Sequence, residues 1–263
     1  MVRMNKIFFL CFTILLTIFG VHTSTTTLIS SVNSDNNTTG NNTSNARLLN
    51  NNHVTIATAT GCFSSDTLVT LVNQQQISIG KLQVGDKLFS IDGTKIVSTE
   101  MMMMLDQNKF SSAMFHTIVT ESQHKISLTS YHLISTINNN GDIIYIPAKD
   151  IKHGDFIRVV TNQQIYSSSV INITIEMKNG YFAPLTIIGK LLVNNIDASC
   201  YSNVKNHNII QFFMTPFIWY YRLCRLFSIE KPFGDQTIDG IHYIPQILYE
   251  IVQSIYPSIL LII

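Results

Sequence analysis

Cys62 follows Gly61 at the point where an Asn/Thr-rich stretch gives way to a β-rich pattern. A cysteine that opens a domain behind a glycine is badly placed for a core thiol. It is well placed to attack the peptide bond that carries it. Its sulfur reaches the Gly61 carbonyl carbon through a five-membered ring, so the chemistry implied is self-cleavage between Gly61 and Cys62 by way of a thioester. An internal acyl shift of this kind also needs an acid for the departing amide nitrogen, a group that holds the scissile peptide in a distorted geometry, and a second nucleophile. Thr129-Ser130-Tyr131-His132 supplies candidates for the acid and the holding group. A threonine and a histidine three apart, at the end of the apolar run 126–128, can face one site, and an imidazole gives and takes a proton near neutral pH. The T-x-x-H spacing alone has low specificity, since an ordinary surface or capping histidine also fits it.

The elements that must position these groups are short strands. Apolar runs at 67–72, 87–91, 115–119, 125–128, 143–146, 156–160, 170–175 and 186–193 alternate with turn signals at Asp92-Gly93, Asn140-Gly141-Asp142 and Asn179-Gly180. This spacing predicts a mainly β domain. A faint internal repeat runs through it: Gly80-Lys81-Leu82-Gln83-Val84-Gly85-Asp86-Lys87-Leu88 resembles Ala148-Lys149-Asp150-Ile151-Lys152-His153-Gly154-Asp155-Phe156-Ile157. Two copies imply a duplicated β subdomain and a pseudo-twofold core. From about 206 onward the pattern changes to apolar, aromatic stretches at 209–229 and 243–263, separated by a polar break at 230–240. These read as helices that either pack on the β domain or form a surface for lipid. Pro216, Arg222, Arg225, Pro245 and Pro257 argue against clean membrane spans.

The 263 residues suffice for one domain of good size or two small ones, at 46% hydrophobic and 13% charged with net charge +1. That balance excludes nucleic-acid binding driven by a basic field, while a mean hydropathy of +0.22 suggests an adhesive or membrane-associated surface. Residues 1–23 have the form of a secretory signal: Arg3 and Lys6, then an apolar run at 7–21 that is short for a spanning helix. An uncleaved N-terminal anchor is the alternative. Residues 24–61, rich in Asn, Ser and Thr, cannot bury enough surface to offset chain entropy and read as disordered. They carry glycosylation sequons at Asn36, Asn37, Asn41 and Asn42, with another at Asn172, although the Asn runs read equally as low-complexity drift. Cys11 goes with the signal, leaving Cys62, Cys200 and Cys224, an odd number for an oxidising compartment. No Cys/His spacing suggests zinc.

Taken together, Gly61-Cys62-Phe63, Asp66-Thr67-Leu68-Val69, Val84-Gly85-Asp86 and Leu128-Thr129-Ser130-Tyr131-His132-Leu133 resemble the autoprocessing Hint module. Leu105-Asp106, Tyr181-Phe182-Ala183-Pro184-Leu185-Thr186, Ala198-Ser199-Cys200-Tyr201, Thr215-Pro216-Phe217 and Gly240-Ile241-His242-Tyr243 narrow the resemblance to the C-terminal half of hedgehog proteins, over about 62–250. The resemblance implies a Hint-type pseudo-twofold β-horseshoe at 62–205 and a hydrophobic, helical sterol-recognition region at 206–263. It implies that Cys62 attacks Gly61, His132 protonates the leaving nitrogen and Thr129 positions the scissile bond. Asp106 matches the general base for an incoming sterol hydroxyl, and Cys200 an auxiliary thiol able to pair with the nucleophile. Cholesterol or a similar sterol is then a co-substrate, with no metal or other cofactor, and processing takes place in the secretory pathway before secretion or display at the cell surface. A hedgehog precursor carries a folded signalling domain before the cysteine; here 24–61 stand in its place, so the expectation is a hedgehog-like "hog" protein that modifies a short, glycosylated segment. Water or a thiol as acceptor and a non-catalytic secreted module are the alternatives. Intein-type splicing is disfavoured because His207-Asn208 is followed by Ile209.

Overall fold

The computed structural model describes residues 61–234, 239–244 and 258. The expected signal segment at 1–23, the Asn-rich stretch with its four sequons and most of the helix expected at 243–263 lie outside these residues. In chain order the elements are β1 (Phe63–Ser64), β2 (Leu68–Thr70), β3 (Gln76–Ser78), β4 (Lys87–Asp92), β5 (Lys95–Thr120), β6 (Lys125–Leu128), β7 (His132–Ile137), β8 (Ile143–Pro147), β9 (Phe156–Thr161), β10 (Gln164–Thr186), β11 (Lys190–Val193), β12 (Ile196–Ser202), α1 (His207–Leu226) and β13 (Gly240–Ile241). The strands pair antiparallel throughout, and the chain is mainly β as the turn spacing predicts.

The two Gly-Asp segments fold alike, bond for bond. Each opens with a 3-10 turn, Ile79–Lys81 in one and Ala148–Asp150 in the other. Asp86 Oδ2 accepts from Gln83 N at 2.8 Å, and Asp155 Oδ2 from Lys152 N at 2.7 Å. Gly85 and Gly154 take φ of +93° and +90°, the left-handed conformation that glycine tolerates without strain. Their amides donate to Met101 O and Val170 O, each at 2.9 Å. Thr120 and Thr186 also correspond, each ending a long strand and using Oγ1 to bond the backbone four residues on, at His124 and Lys190. The pseudo-twofold core inferred from the repeat is thus present in the hydrogen bonding itself.

The strands are longer than the apolar runs imply. β5 extends from Lys95 to Thr120 although only 115–119 within it forms an apolar run, and β10 runs straight through the turn signal at Asn179-Gly180. The first part of each pairs with its own hairpin partner, β4 or β9, and the rest of each pairs with the other. Met101–Met104 are all buried, so both faces of β5 are covered there and the period-two alternation that betrays a strand is absent. The run at 186–193 divides instead, at Gly189 (φ +70°), into the end of β10 and β11. A buried ion pair, Arg158–Asp197 at 3.5 Å, links β9 to β12.

α1 accounts for the expected helix at 209–229. Asn206 caps it by accepting from Asn208 N at 2.9 Å and Ile209 N at 3.3 Å. Ile210, Met214, Phe217, Ile218, Tyr221 and Cys224 form its buried face. Tyr221 Oη donates to Glu100 Oε1 at 2.6 Å, tying the helix to β5. A second apolar stripe, Phe212, Trp219, Leu223 and Leu226, lies on the opposite side at the helical period and is exposed. No helix among the described residues is long and apolar enough to cross a membrane.

Candidate active site

Phe63 pairs with Leu128 of β6 and Phe182 of β10, which seats the start of the described chain between two strands. The Thr129 amide continues the β6 ladder by donating to Cys62 O at 3.1 Å. The chain then turns, with His132 N donating to Thr129 O at 3.0 Å. This turn, at the end of the 126–128 strand as expected, brings the threonine and the histidine to one place.

Thr129 Oγ1 accepts from Gly61 N at 3.0 Å and from Cys62 N at 2.9 Å. One oxygen therefore holds both amides around the Gly61–Cys62 bond, including the nitrogen that must leave. Gly61 has φ +83°, and a Cβ there would lie 1.8 Å from Ser202 Oγ, so backbone conformation and packing both require glycine. Cys62 is 0% exposed, within an apolar cluster of Ala113, Phe115, Tyr181 and Ala183. Its position suggested a thiol outside the core; the structure places it inside, because β1 is drawn into the sheet. Burial, followed by the Asp106 charge, pushes the thiol well above its usual range, so it rests protonated.

His132 is also 0% exposed, and its Nε2 donates to the Ser199 carbonyl of β12 at 2.8 Å. The Phe63 ring meets it edge-on at 4.3 Å. Desolvation lowers its pKa to about 4, against the pull of the Ser199 and Gly61 carbonyls. The ring is therefore neutral at neutral pH, and with Nε2–H committed to Ser199 the lone pair sits on Nδ1. Nδ1 makes no full hydrogen bond and has the Gly61 backbone beside it.

Asp106 lies mid-strand in β5, between Ala183 of β10 and Ile241 of β13, and so caps no turn. The register slips next to it, between the Ala183 and Pro184 pairs, a bulge of the kind that re-aims a side chain. Its Oδ2 faces Cys62 Sγ at 4.0 Å, and Oδ1 is buried with no hydrogen-bond partner. Desolvation raises its pKa to about 6, against the Gln107 amide. Cys200 is buried on β12 with Sγ 3.6 Å from Thr186 Oγ1, and burial pushes its thiol up to about 12. No disulfide joins Cys62, Cys200 and Cys224.

The structure thus gathers Gly61, Cys62, Asp106, Thr129 and His132. It adds two residues not singled out from the sequence. Ser202 closes on Gly61 by shape, and Ser199 acts on His132 through its backbone carbonyl, which any residue type supplies and no motif reveals.

Warthog protein 6 of Caenorhabditis elegans is 31% identical over 194 residues, covering 73% of this chain and 32% of that protein. Sonic hedgehog protein of Danio rerio is 28% identical over 205 residues, covering 74% of this chain and 49% of its own length. The chain thus spans half or less of these curated relatives. Among solved structures, the PabCDC21-1 intein aligns over 54% of this chain and 99% of its own at 14% identity, with a TM-score of 0.48. Residues 50–257, most of the chain, match the family described as the Hint module. The chain belongs to the Hint family, as a protein with a hedgehog-type Hint domain.

Proposed function

We propose that this chain cleaves itself once between Gly61 and Cys62 through a thioester and passes the Gly61 acyl group to the hydroxyl of cholesterol or a similar sterol. The observation that carries the reading is the double hydrogen bond from Gly61 N and Cys62 N to Thr129 Oγ1, beside a neutral His132 ring held by Ser199. Cys62 Sγ adds to the Gly61 carbonyl carbon and the C–N bond breaks. The thiol proton passes by way of His132 Nδ1 to the Cys62 nitrogen, which leaves as an amine. The sterol oxygen then attacks the thioester carbonyl and the C–S bond breaks. Asp106 takes the sterol proton and returns it to the Cys62 sulfur, which its carboxylate faces. Ester, amine and thiol are the products, and no external oxidant or reductant is consumed.

The sterol acceptor is supported by the Asp106 carboxylate at the nucleophile and by the second apolar stripe on α1, which suits a lipid or membrane surface. Processing in the secretory pathway is supported by the basic and apolar character of residues 1–23. The test is to express the chain with and without cholesterol and read intact masses. An N-terminal fragment heavier by one sterol is expected. A free acid in the presence of cholesterol would remove the sterol step, and an intact chain under both conditions would remove the whole reading.

A further inference from the structure

Between Cys62 and Ile263 the sequence holds one Asn-x-Ser/Thr triplet, Asn172-Ile173-Thr174, and the steps above make no use of it. It lies in β10, where Asn172 and Thr174 are both exposed. β10 pairs with β9 over 164–169 and with β1 at Tyr181 and Phe182. Between these two partners only β5 pairs with it among the described residues. Thr120 N turns to His124 O, so the backbone groups of Val119, Thr117, Phe115 and Ala113, at alternate positions, face β10. They meet those of Asn172, Thr174, Glu176 and Lys178. The N–H and C=O groups of Ile173, Ile175 and Met177 therefore point to the opposite, open edge. Val170 bounds that edge on one side by bonding Asp155 and Gly154, and Asn179 on the other, its carbonyl accepting from Ser65 Oγ at 2.6 Å. The open stretch is also apolar: Ile171 is 41%, Ile175 61% and Met177 51% exposed. An edge of this kind is a template for pairing with another chain.

We propose that Asn172 is an N-glycosylation site and that its glycan screens the open edge of β10, keeping a second strand off Ile173, Ile175 and Met177. The inference rests on the secretory-pathway reading given above. Asn172 Nδ2 attacks C1 of an oligosaccharide carried on a lipid diphosphate in the lumen. The N–C1 bond forms, the C1–O bond breaks, the lipid diphosphate leaves and one Nδ2 proton is released. The Thr174 hydroxyl is the second recognition group of the triplet. Addition takes place on the extended chain, and the fold then has only to leave room for the sugar, which an exposed Asn172 does. The register slips beside it, between the Val170 and Asn172 pairs, so the strand is already irregular where the sugar is rooted. A branched, hydrated glycan at this point stands at one end of an edge that runs roughly 20 Å from Ile171 to Met177. Natural sheets blunt such edges with charge, bulges or a covering segment, and here a bulge and a sugar share the task.

The test expresses the full chain in a secreting eukaryotic cell, as the native sequence and as three variants. Thr174→Ser keeps the triplet. Thr174→Ala destroys it and leaves Asn172 in place. Thr174→Ala with Ile175→Lys also puts a charge on the open edge. Occupancy of Asn172 is read by peptide mass after glycosidase treatment, which turns an occupied Asn into Asp. Light scattering at rising concentration and the thermal midpoint are measured on each purified chain, and protease protection is measured in microsomes. Asn172 is expected to be occupied in the native chain and in Thr174→Ser, and bare in Thr174→Ala. The weight-average mass of Thr174→Ala should rise to about twice the native value or more, at an unchanged thermal midpoint, and return to the native value with Ile175→Lys. A bare Asn172 in a native chain that is protected inside microsomes would overturn the inference. So would a Thr174→Ala chain that associates no more than the native one, or association that Ile175→Lys does not reverse. A chain left open to protease outside the microsomes would instead overturn the secretory-pathway reading beneath it.

Discussion

A side chain at Gly61 would collide with Ser202, at 1.8 Å from Oγ, and would also have to adopt φ +83°. A left-handed backbone at a non-glycine residue costs about 1–3 kcal/mol. Gly61→Ala is therefore expected to slow cleavage by about 10-fold or more, with Ser202→Gly restoring only part because it removes the clash and not the strain. Gel densitometry of the single and double variants checks this. Thr129→Val keeps the shape and leaves two buried N–H groups without an acceptor, at about 1–3 kcal/mol each. Cleavage should fall about 100-fold, measured as the fraction of intact chain over time. Asp106 and His132 titrate apart, at about 6 and about 4. Only the Asp106 carboxylate can take the sterol proton, so sterol-ester formation should be lost as pH falls through about 6. Release by an added thiol, which needs no such base and whose own titration lies well above pH 6, should show no inflection there. An inflection shared by both nucleophiles would assign the titration to an earlier step.

At the scale of the element, the two Gly-Asp turns make the same hydrogen bonds, at 2.8 Å from Asp86 and 2.7 Å from Asp155. Asp86→Ala and Asp155→Ala should each cost about 1 kcal/mol and lower the thermal midpoint by about the same few degrees. Unequal losses in calorimetry would show that the repeat is one of shape without shared energetics. This repeat was legible in the sequence because a tight turn before a strand demands Gly and Asp in fixed places. The lengths of β5 and β10 were not. Met101–Met104 are covered on both faces and show no alternation, while Asn108–Ser111 belong to β5 but carry the composition of a turn. Cys62 could be read from its place behind Gly61, whereas Thr129 and His132 stood out only as candidates by spacing and took their roles from the resemblance. Asp106 could be read only through resemblance, because an isolated aspartate after four methionines has no local pattern. The hold of Ser199 on His132 had no signal, since a backbone carbonyl leaves none.

For the molecule as a whole, α1 carries two apolar faces, and only one is covered by the sheets. Phe212 at 65%, Trp219 at 61% and Leu226 at 81% exposure line the other. If this stripe presents sterol to the site, Trp219→Glu and Leu223→Glu should lower the ratio of sterol ester to free acid by about 10-fold, equivalent to about 1.4 kcal/mol, with the thermal midpoint unchanged. Product masses from vesicles containing cholesterol check it. The same helix begins at His207, whose Nδ1 lies 2.9 Å from Ser199 Oγ, and the Ser199 carbonyl of β12 receives Nε2–H of His132 on β7, so one strand residue lies between the lipid-facing helix and the proton-moving group. The claim on which all of this depends is the scissile bond itself. The most direct test is the intact mass and N-terminal residue of the C-terminal product of the full chain, beside Cys62→Ala. The account predicts a fragment beginning at Cys62 and an uncleaved variant; a fragment beginning elsewhere, or cleavage that survives loss of the thiol, would contradict it.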